Sequence, residues 1–245
     1  MPNRLLDRQA SLLAYLTSGA AIFGKENAAP LDQALRGFDP TLLRIEARFS
    51  YDKRMEKITS IFPRTVEMLG DRGGQVFQDF VDACPPSDVE RFANARQFHE
   101  FLLARWRREA PHSPYLPDVA AFEAACAHVR NAFHERDAAV QIWNMIARVR
   151  AIRRRPDIRL LRCRYDIRPI FESGSEIVPV ERDTRLAITM LPTASEPRVF
   201  EVLPAVFDLL TALEDWTDPA AFGITRGLDE LIRDLAGHGL LEVRV

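Results

Sequence analysis

Arg185-Leu186-Ala187-Ile188-Thr189-Met190-Leu191 is the stretch that decides the fold of this chain. Its large apolar residues fall at every second position, which is the pattern of a strand with one buried face. A turn follows from Pro192 to Pro197, and a second short run of strand-forming residues extends from Arg198 to Val202. The spacing therefore predicts two neighbouring strands joined by a short loop.

Two amphipathic helices are predicted after these strands, over Pro204–Leu213 and Leu228–Ala236. In both, apolar residues recur at positions i, i+3, i+4 and i+7, which lie on one face of a helix. Gly237 and Gly239 supply the backbone freedom that ends the second helix, and a third strand is predicted over Leu240–Val245. Strand, turn, strand, helix, helix and strand is the plan of a small winged-helix-like α/β domain.

Peptide recognition is the function that this plan favours. A short exposed strand beside a helix forms a groove in which an extended peptide can pair as an additional strand. The predicted peptide-binding residues come from the second strand and the last helix: Arg198, Val199, Phe200, Glu201, Val202, Leu228, Leu231 and Ile232. For each of the three helix residues, a place in the core of the domain is an alternative interpretation.

Helical periodicity dominates the first part of the chain. Helices are predicted over residues 4–18, 41–62, 66–69, 76–83, 87–107 and 119–133. Asp118 stands where the last of them needs an N-cap. In the long second helix we expect the core-facing residues to be Leu42, Ile45 and Phe49, and later Met55, Ile58 and Phe62.

The chain is thus predicted to be an α+β protein built from three segments. Residues 1–137 form an all-α helical bundle, residues 138–157 form a helical basic linker, and residues 158–245 form the peptide-recognition domain. The linker helix is expected to end at Arg155, because the period then changes to that of a strand over Ile158–Tyr165.

Composition and charge are ordinary for a globular protein: 47% of residues are apolar, 28% are charged, and the formal net charge is -2. No run approaches the roughly 20 apolar residues of a membrane helix, and the first residues lack the apolar core of a secretory signal. Cys84, Cys126 and Cys163 form no CxxC pair, and their odd number is typical of a reducing compartment. We therefore expect a cytoplasmic protein without membrane contact.

The sequence contains no motif that is typical of catalysis or metal binding. The five histidines lack neighbours at the close spacing that zinc sites need. There is no Gly-x-Ser-x-Gly nucleophile motif, and Gly70–Gly74 lacks the Lys-Ser/Thr pair of a phosphate-binding loop. We expect no catalytic residue, no metal ligand and no cofactor in the chain itself.

A basic block lies in the middle of the chain. Its eight arginines are Arg148, Arg150, Arg153, Arg154, Arg155, Arg159, Arg162 and Arg164. Such a block can bind the phosphates of a nucleic acid. However, Asp229, Glu230 and Asp234 of the predicted last helix would repel the phosphates on either side of a DNA groove. Pairing with acidic residues of the last domain or of a partner is the favoured interpretation, and a DNA-binding transcriptional regulator is the alternative function.

The first half contains short motifs in a characteristic order: Phe62-Pro63, Leu69-Gly70, Phe77, Pro114-Tyr115-Leu116-Pro117-Asp118-Val119-Ala120 and Glu123. In this order they resemble the N-terminal helical domain of HvfC/BufC-type proteins, which include TglI-like and MbnC-like proteins. The pattern from Arg185 through Ala205 to Leu241 is similar to the second domain of that family. The resemblance covers most of the chain, although the basic block is not a family feature.

The resemblance implies an accessory subunit that is not itself an enzyme. Family members pair with a TIM-barrel, multinuclear non-haem iron enzyme, which oxidatively modifies residues, often cysteines, of a ribosomally made precursor peptide. The accessory subunit binds the leader part of that peptide, and iron is expected in the partner enzyme alone. We expect the bundle to dock the enzyme through Tyr115, Leu116, Pro117 and Asp118, with a packed aromatic between two prolines as the alternative role of Tyr115.

Overall fold

The computed structural model describes residues 4–24, 33–86, 90–134, 149–174, 176–191, 194–222 and 228–244. Contacts divide the chain into two compact units, Met1–Leu116 and Pro117–Val245. The predicted boundary at residue 137 and the first part of the predicted linker, residues 138–148, lie outside the described residues.

Helices account for all regular structure described in the first unit. They are α1 (Arg4–Leu16), α2 (Gly19–Ile22), α3 (Pro40–Thr59), α4 (Pro63–Leu69), α5 (Gly73–Ala83) and α6 (Arg91–Trp106), with short 3-10 turns at Gln33–Leu35 and Gly70–Arg72. The start of α3 shows how local chemistry sets a boundary. The Asp39 side chain accepts a hydrogen bond from the Thr41 N–H at 2.8 Å, and Pro40 occupies the first turn.

Aromatic side chains form the centre of this bundle. The ring of Phe98 lies 5.8 Å from that of Phe62 and 5.1 Å from that of Phe80, and all three are fully buried. Arg54 is also buried beside Phe80, where it donates to the side-chain oxygen of Asn94. Burial lowers the pKa of the Arg54 guanidinium to about 10.

The orientation predicted for α3 is confirmed in its second half, where Met55 and Ile58 are buried, and wrong in its first half. Leu42, Ile45 and Phe49 are 60%, 57% and 54% exposed, whereas Leu43 and Ala47 are buried. The helix carries apolar residues on two faces, and each face repeats at helical spacing. Packing of α1, α2 and α6 against α3 selects the face of Leu43 and Ala47, which periodicity alone does not distinguish.

The second unit combines helices with antiparallel strands. Its helices are α7 (Leu116–His134), α8 (Arg168–Ser173), α9 (Pro204–Ala212) and α10 (Leu228–Gly237), and its strands are β1 (Ala151–Arg154), β2 (Arg159–Tyr165), β3 (Glu181–Thr189), β4 (Arg198–Glu201) and β5 (Leu241–Arg244). One sheet has the order β2-β3-β4, and a second contains β1 and β5. The predicted α+β class, with helices first, is confirmed.

The end of the predicted linker helix is wrong, because Ala151–Arg154 is the strand β1. It pairs with β5 in antiparallel register, with Ile152 opposite Val243. Pairing places Ile152, which is fully buried, in the core of the unit. Arginines are good helix formers, so the strand depends on a partner that lies far away in the sequence.

The core of the second unit lies between the strands and the helices α9 and α10. Its buried members are Ile152, Ile158, Ala187, Leu210, Leu213, Ile232, Leu235, Ala236, Leu240 and Leu241. Gly239 links α10 to β5 with a φ of 71°, as its predicted role in ending the helix requires. An added Cβ there would lie 2.7 Å from a methyl carbon of Leu191, so the position also needs the small residue.

Helix α7 begins earlier than predicted. Pro117 occupies its first turn, where a missing N–H costs nothing. Asp118 therefore lies inside the helix and does not cap it. Its carboxylate instead accepts a hydrogen bond from the backbone N–H of Tyr165 at the end of β2, at 3.0 Å.

Candidate functional site

Strand β4 lies at the edge of the three-stranded sheet. It pairs with β3 on one side, with Val199 opposite Ile188 and Phe200 opposite Ala187. No strand among the described residues pairs with its other side. The backbone of this strand is therefore an edge to which an extended segment can add.

The register shows which backbone groups of β4 face outward. The N–H of Val202 donates to the carbonyl oxygen of Arg185 at 2.9 Å. Hydrogen-bonding direction alternates along an antiparallel strand, so Phe200, like Val202, directs its N–H and C=O groups toward β3. The N–H and C=O groups of Val199 and Glu201 point the opposite way, toward the open edge.

The side chains of β4 divide between the two faces of the sheet. Phe200 and Val202 are half-buried and pack against the core, and the Phe200 ring lies 4.9 Å from that of His238. Arg198 is exposed at the start of the strand on this same face, whereas the opposite face carries the half-buried Val199 and the exposed Glu201. An added strand would thus meet the apolar side chains of Phe200 and Val202, with Arg198 beside them, on one face, and Val199 and Glu201 on the other.

The helix residues predicted for the groove are placed differently from one another. Ile232 is only 2% exposed and belongs to the core, as its alternative interpretation held. Leu231 is half-buried and packs against the same core. Leu228 begins α10, and its side chain lies outside the described residues. Of these three, Leu231 is the one that the structure shows near the surface.

Glu201 is held by two arginines that the sequence did not indicate. Its carboxylate oxygens lie 2.7 Å from Nη2 of Arg168 and 2.8 Å from Nη1 of Arg182. The same arginines donate hydrogen bonds to Asp166. These hydrogen bonds, chiefly the one from Arg168, lower the pKa of the Asp166 carboxyl well below its usual range. These four residues come together through β3, β4 and the start of α8, so spacing in sequence gives no sign of them.

Arg185 is paired with Val202 across the sheet, so its side chain leaves the sheet on the face of Phe200 and Val202. Its side chain is 16% exposed, and its Nε and Nη1 atoms are buried without a hydrogen-bond partner among the described residues. The guanidinium carbon lies 5.9 Å from the centre of the Phe207 ring. Sequence reasoning placed Arg185 in a strand but did not indicate a buried cation.

Carboxylates of the second unit pair with the basic block. Of the seven arginines of the block that the structure describes, five have such a partner: Arg153 with Glu242, Arg154 with Glu214, Arg155 with Asp157, Arg162 with Asp183 and Arg164 with Glu181. This pairing agrees with the favoured interpretation of the block. It also reduces the charge available to phosphates, on which the DNA-binding alternative depends.

The four residues predicted to dock a partner enzyme are unequal in exposure. Leu116 is fully buried, and Tyr115, Pro117 and Asp118 are half-buried. Burial raises the pKa of the Asp118 carboxyl, although the N–H groups of Tyr165 and Arg164 act in the opposite direction. An aspartate with these internal partners stabilises the fold, so it contributes little free surface for docking.

Metal ligands and activated nucleophiles are the groups on which catalysis would depend. The described part of the chain contains no group of three or more His, Cys, Asp or Glu side chains able to hold a metal ion. Burial raises the pKa of the Cys126 and Cys163 thiols to about 12, so neither is an activated nucleophile. None of the described helices has the length and apolar character needed to cross a membrane.

Compared with known proteins, the chain matches no family model, and no curated protein is significantly similar to it.

Proposed function

We propose that this protein is a non-catalytic accessory subunit that binds a ribosomally made precursor peptide and presents it to a TIM-barrel, multinuclear non-haem iron enzyme. The leader part of the peptide would add to β4 as a further strand, and the enzyme would modify cysteines of the peptide. Support comes from two sources. One is the edge strand, and the other is the resemblance of the sequence motifs to HvfC/BufC-type proteins.

The open edge of β4 carries the proposal. Val199 and Glu201 each present an N–H donor and a C=O acceptor on the side away from β3. Such groups bind any extended peptide through its main chain, while neighbouring side chains select the sequence. Phe200 and Val202 supply an apolar surface for that selection.

A proline at residue 199 tests the binding mode. Because the Val199 N–H points away from β3, Val199→Pro removes a donor from the open edge and leaves the β3–β4 hydrogen bonds in place. Phe200→Pro removes a donor that serves β3 itself, so it should lower the melting temperature much more. Val199→Ala keeps the N–H and controls for loss of the side chain.

The assay is co-expression of each tagged variant with the reading frames that neighbour its gene, followed by purification and mass and iron analysis. We expect the wild type and Val199→Ala to carry a small peptide and an iron-containing protein. Val199→Pro should retain the iron-containing protein and lose the peptide. Equal peptide recovery with Val199→Pro, in a folded protein, would refute strand addition at β4.

An exposed apolar stripe on α3 supports a protein partner for the first unit. Leu42, Ile45 and Phe49 are each more than half exposed and follow one another along one face of the helix. This stripe is a better surface for the enzyme than Tyr115–Asp118, where Leu116 is buried. Contact with a protein partner would remove the stripe from water.

Charge placed on the stripe tests that docking surface. Ile45→Glu should abolish recovery of the iron-containing protein in the same assay, because an unpaired carboxylate would be buried at the interface. Ser50→Glu adds the same charge at another exposed position of α3 and should leave recovery unchanged. Equal recovery with both variants would place the enzyme elsewhere. Recovery of nucleic acid that high salt removes would favour the DNA-binding alternative.

A further inference from the structure

Arg185 has hydrogen-bonding capacity that the described part of the second unit does not use. Buried side-chain atoms without a partner are found in that part at Arg185 only, at Nε and Nη1. A guanidinium has five N–H donors and cannot be deprotonated at ordinary pH. A buried charge that is not fully hydrogen-bonded destabilises a fold, so such a group calls for an explanation.

The nearest carboxylate is already bound to another arginine. Asp183 accepts hydrogen bonds from Arg162 at 2.7 Å and 3.2 Å, one on each oxygen. Nη2 of Arg185 lies 3.5 Å from the same carboxylate, which is beyond a short charge-assisted hydrogen bond. Phe207 lies against the guanidinium without supplying an acceptor. Apart from this ion pair with Asp183, Arg185 therefore keeps donors, at Nε and Nη1, that no described residue uses.

The strand register places the side chain of Arg185 on the same face of the sheet as two residues near the open edge, Phe200 and Val202. Val202 is its neighbour on β4, and side chains of neighbouring residues project from the same face of a sheet. A strand added to β4 would lie two strand spacings from β3, roughly 9.5 Å. An arginine and a glutamate or aspartate side chain together span that distance. On the same face, Phe200 lies two residues from Val202 and offers apolar contact.

We infer that Arg185 selects an acidic residue of the peptide that adds to β4. The carboxylate would lie opposite Val202 and accept hydrogen bonds from the unused donors of Arg185. An apolar residue two positions away in the peptide would contact Phe200. The inference rests on the proposed function and narrows its substrate to extended peptides in which an acidic and an apolar residue are separated by one residue.

Selection from a random peptide library tests the inference without knowledge of the natural peptide. The full-length protein is immobilised and used to select binders from an mRNA-display library of random twelve-residue peptides. We expect wild-type binders to share Asp or Glu at one position and an apolar residue two positions away. Arg185→Met should lose the acidic preference and keep the apolar one.

A matched control removes a different arginine from the same sheet. Arg164 is exposed and pairs with Glu181, so Arg164→Met should leave the acidic preference intact. For one selected peptide, exchange of its acidic residue for the corresponding amide should weaken binding to the wild type roughly tenfold to hundredfold. The same exchange should leave binding to Arg185→Met unchanged.

The outcomes separate this inference from the proposed function. Binders that are lost with Val199→Pro but carry no acidic preference would overturn the role of Arg185 and leave strand addition standing. Failure to select any binder, or binders indifferent to Val199→Pro, would overturn both. A structural role of Arg185 makes a different prediction, since Arg185→Met would then lower the melting temperature. We expect an unchanged or higher melting temperature, because the variant removes a buried, incompletely paired charge.

Discussion

The backbone N–H of Tyr165 donates to the Asp118 carboxylate at 3.0 Å, and this hydrogen bond joins the first turn of α7 to the end of β2. The β2–β3 register shifts between Cys163 and Tyr165, which leaves backbone donors outside the regular ladder. Asp118 supplies the acceptor that the irregular strand end lacks. The contact thus fixes α7 on the sheet within the second unit.

Replacement of Asp118 by alanine should destabilise the second unit by about 1–3 kcal/mol, because a half-buried backbone donor would lose its acceptor. Asp118→Asn keeps a side-chain oxygen and should cost less. Denaturant unfolding of both variants measures the difference. Equal stability of Asp118→Ala and the wild type would show that the contact contributes nothing to the fold.

Removal of the Asp157 carboxylate should be more costly. Asp157 and Arg155 form a bidentate pair, and both side chains are buried. Asp157→Asn leaves a buried guanidinium without its counter-charge, and we expect a loss of about 3–5 kcal/mol in the free energy of unfolding. The double variant Arg155→Met/Asp157→Leu should recover much of that loss. A double variant less stable than the single one would contradict this account.

Acid should weaken the protein partly through Asp166. Its folded-state pKa is depressed, chiefly by the hydrogen bond from Arg168. A depressed pKa stabilises the fold at pH values above the unfolded-state pKa of about 3.9, and this contribution is lost as the pH falls toward the folded-state value. Asp166→Asn should therefore be less stable at pH 7 and show a flatter acid dependence below about pH 4.

Thermal unfolding of Asp166→Asn between pH 7 and pH 2 provides the comparison. Glu46→Gln, which removes a carboxylate from an exposed position on α3, controls for the change in net charge. Parallel pH curves for Asp166→Asn and the wild type would mean that Asp166 has no part in the acid response.

The three cysteines should differ in their reaction with iodoacetamide. Burial raises the pKa of Cys126 and Cys163 to about 12, so at pH 8 roughly one thiol in ten thousand is ionised. Cys84 is partly exposed, and although burial also raises its pKa, we expect it to be alkylated first. Peptide mass spectrometry before and after denaturation measures the order. Rapid native alkylation of Cys163 would contradict its burial.

Local periodicity predicted the elements whose own residues carry a regular apolar pattern. The alternation around Leu186 and the helical spacing around Leu210 and Leu235 correspond to β3, α9 and α10. These patterns are properties of single elements, so one sequence contains the information that they need.

Features that depend on distant partners were not predictable in the same way. Ile152 lies in a strand because Val243 pairs with it, and an arginine-rich segment by itself favours a helix. The exposed side of α3, the role of Asp118 and the unused donors of Arg185 likewise result from packing between elements. The edge position of β4 was expected from the order of elements, but the direction of its backbone groups required the register.

Because β1 pairs with β5, folding of the second unit can be completed only after β5 has been synthesised. β1 is made before every other strand of the unit and β5 after them, and β5 is the strand with which β1 pairs. During translation the core around the apolar side chain of Ile152 stays incomplete until Leu240 and Leu241 have been synthesised. A prematurely terminated copy that lacks β5 would leave this surface open to chaperones and proteases, so only chains that include β5 would complete the core of the second unit.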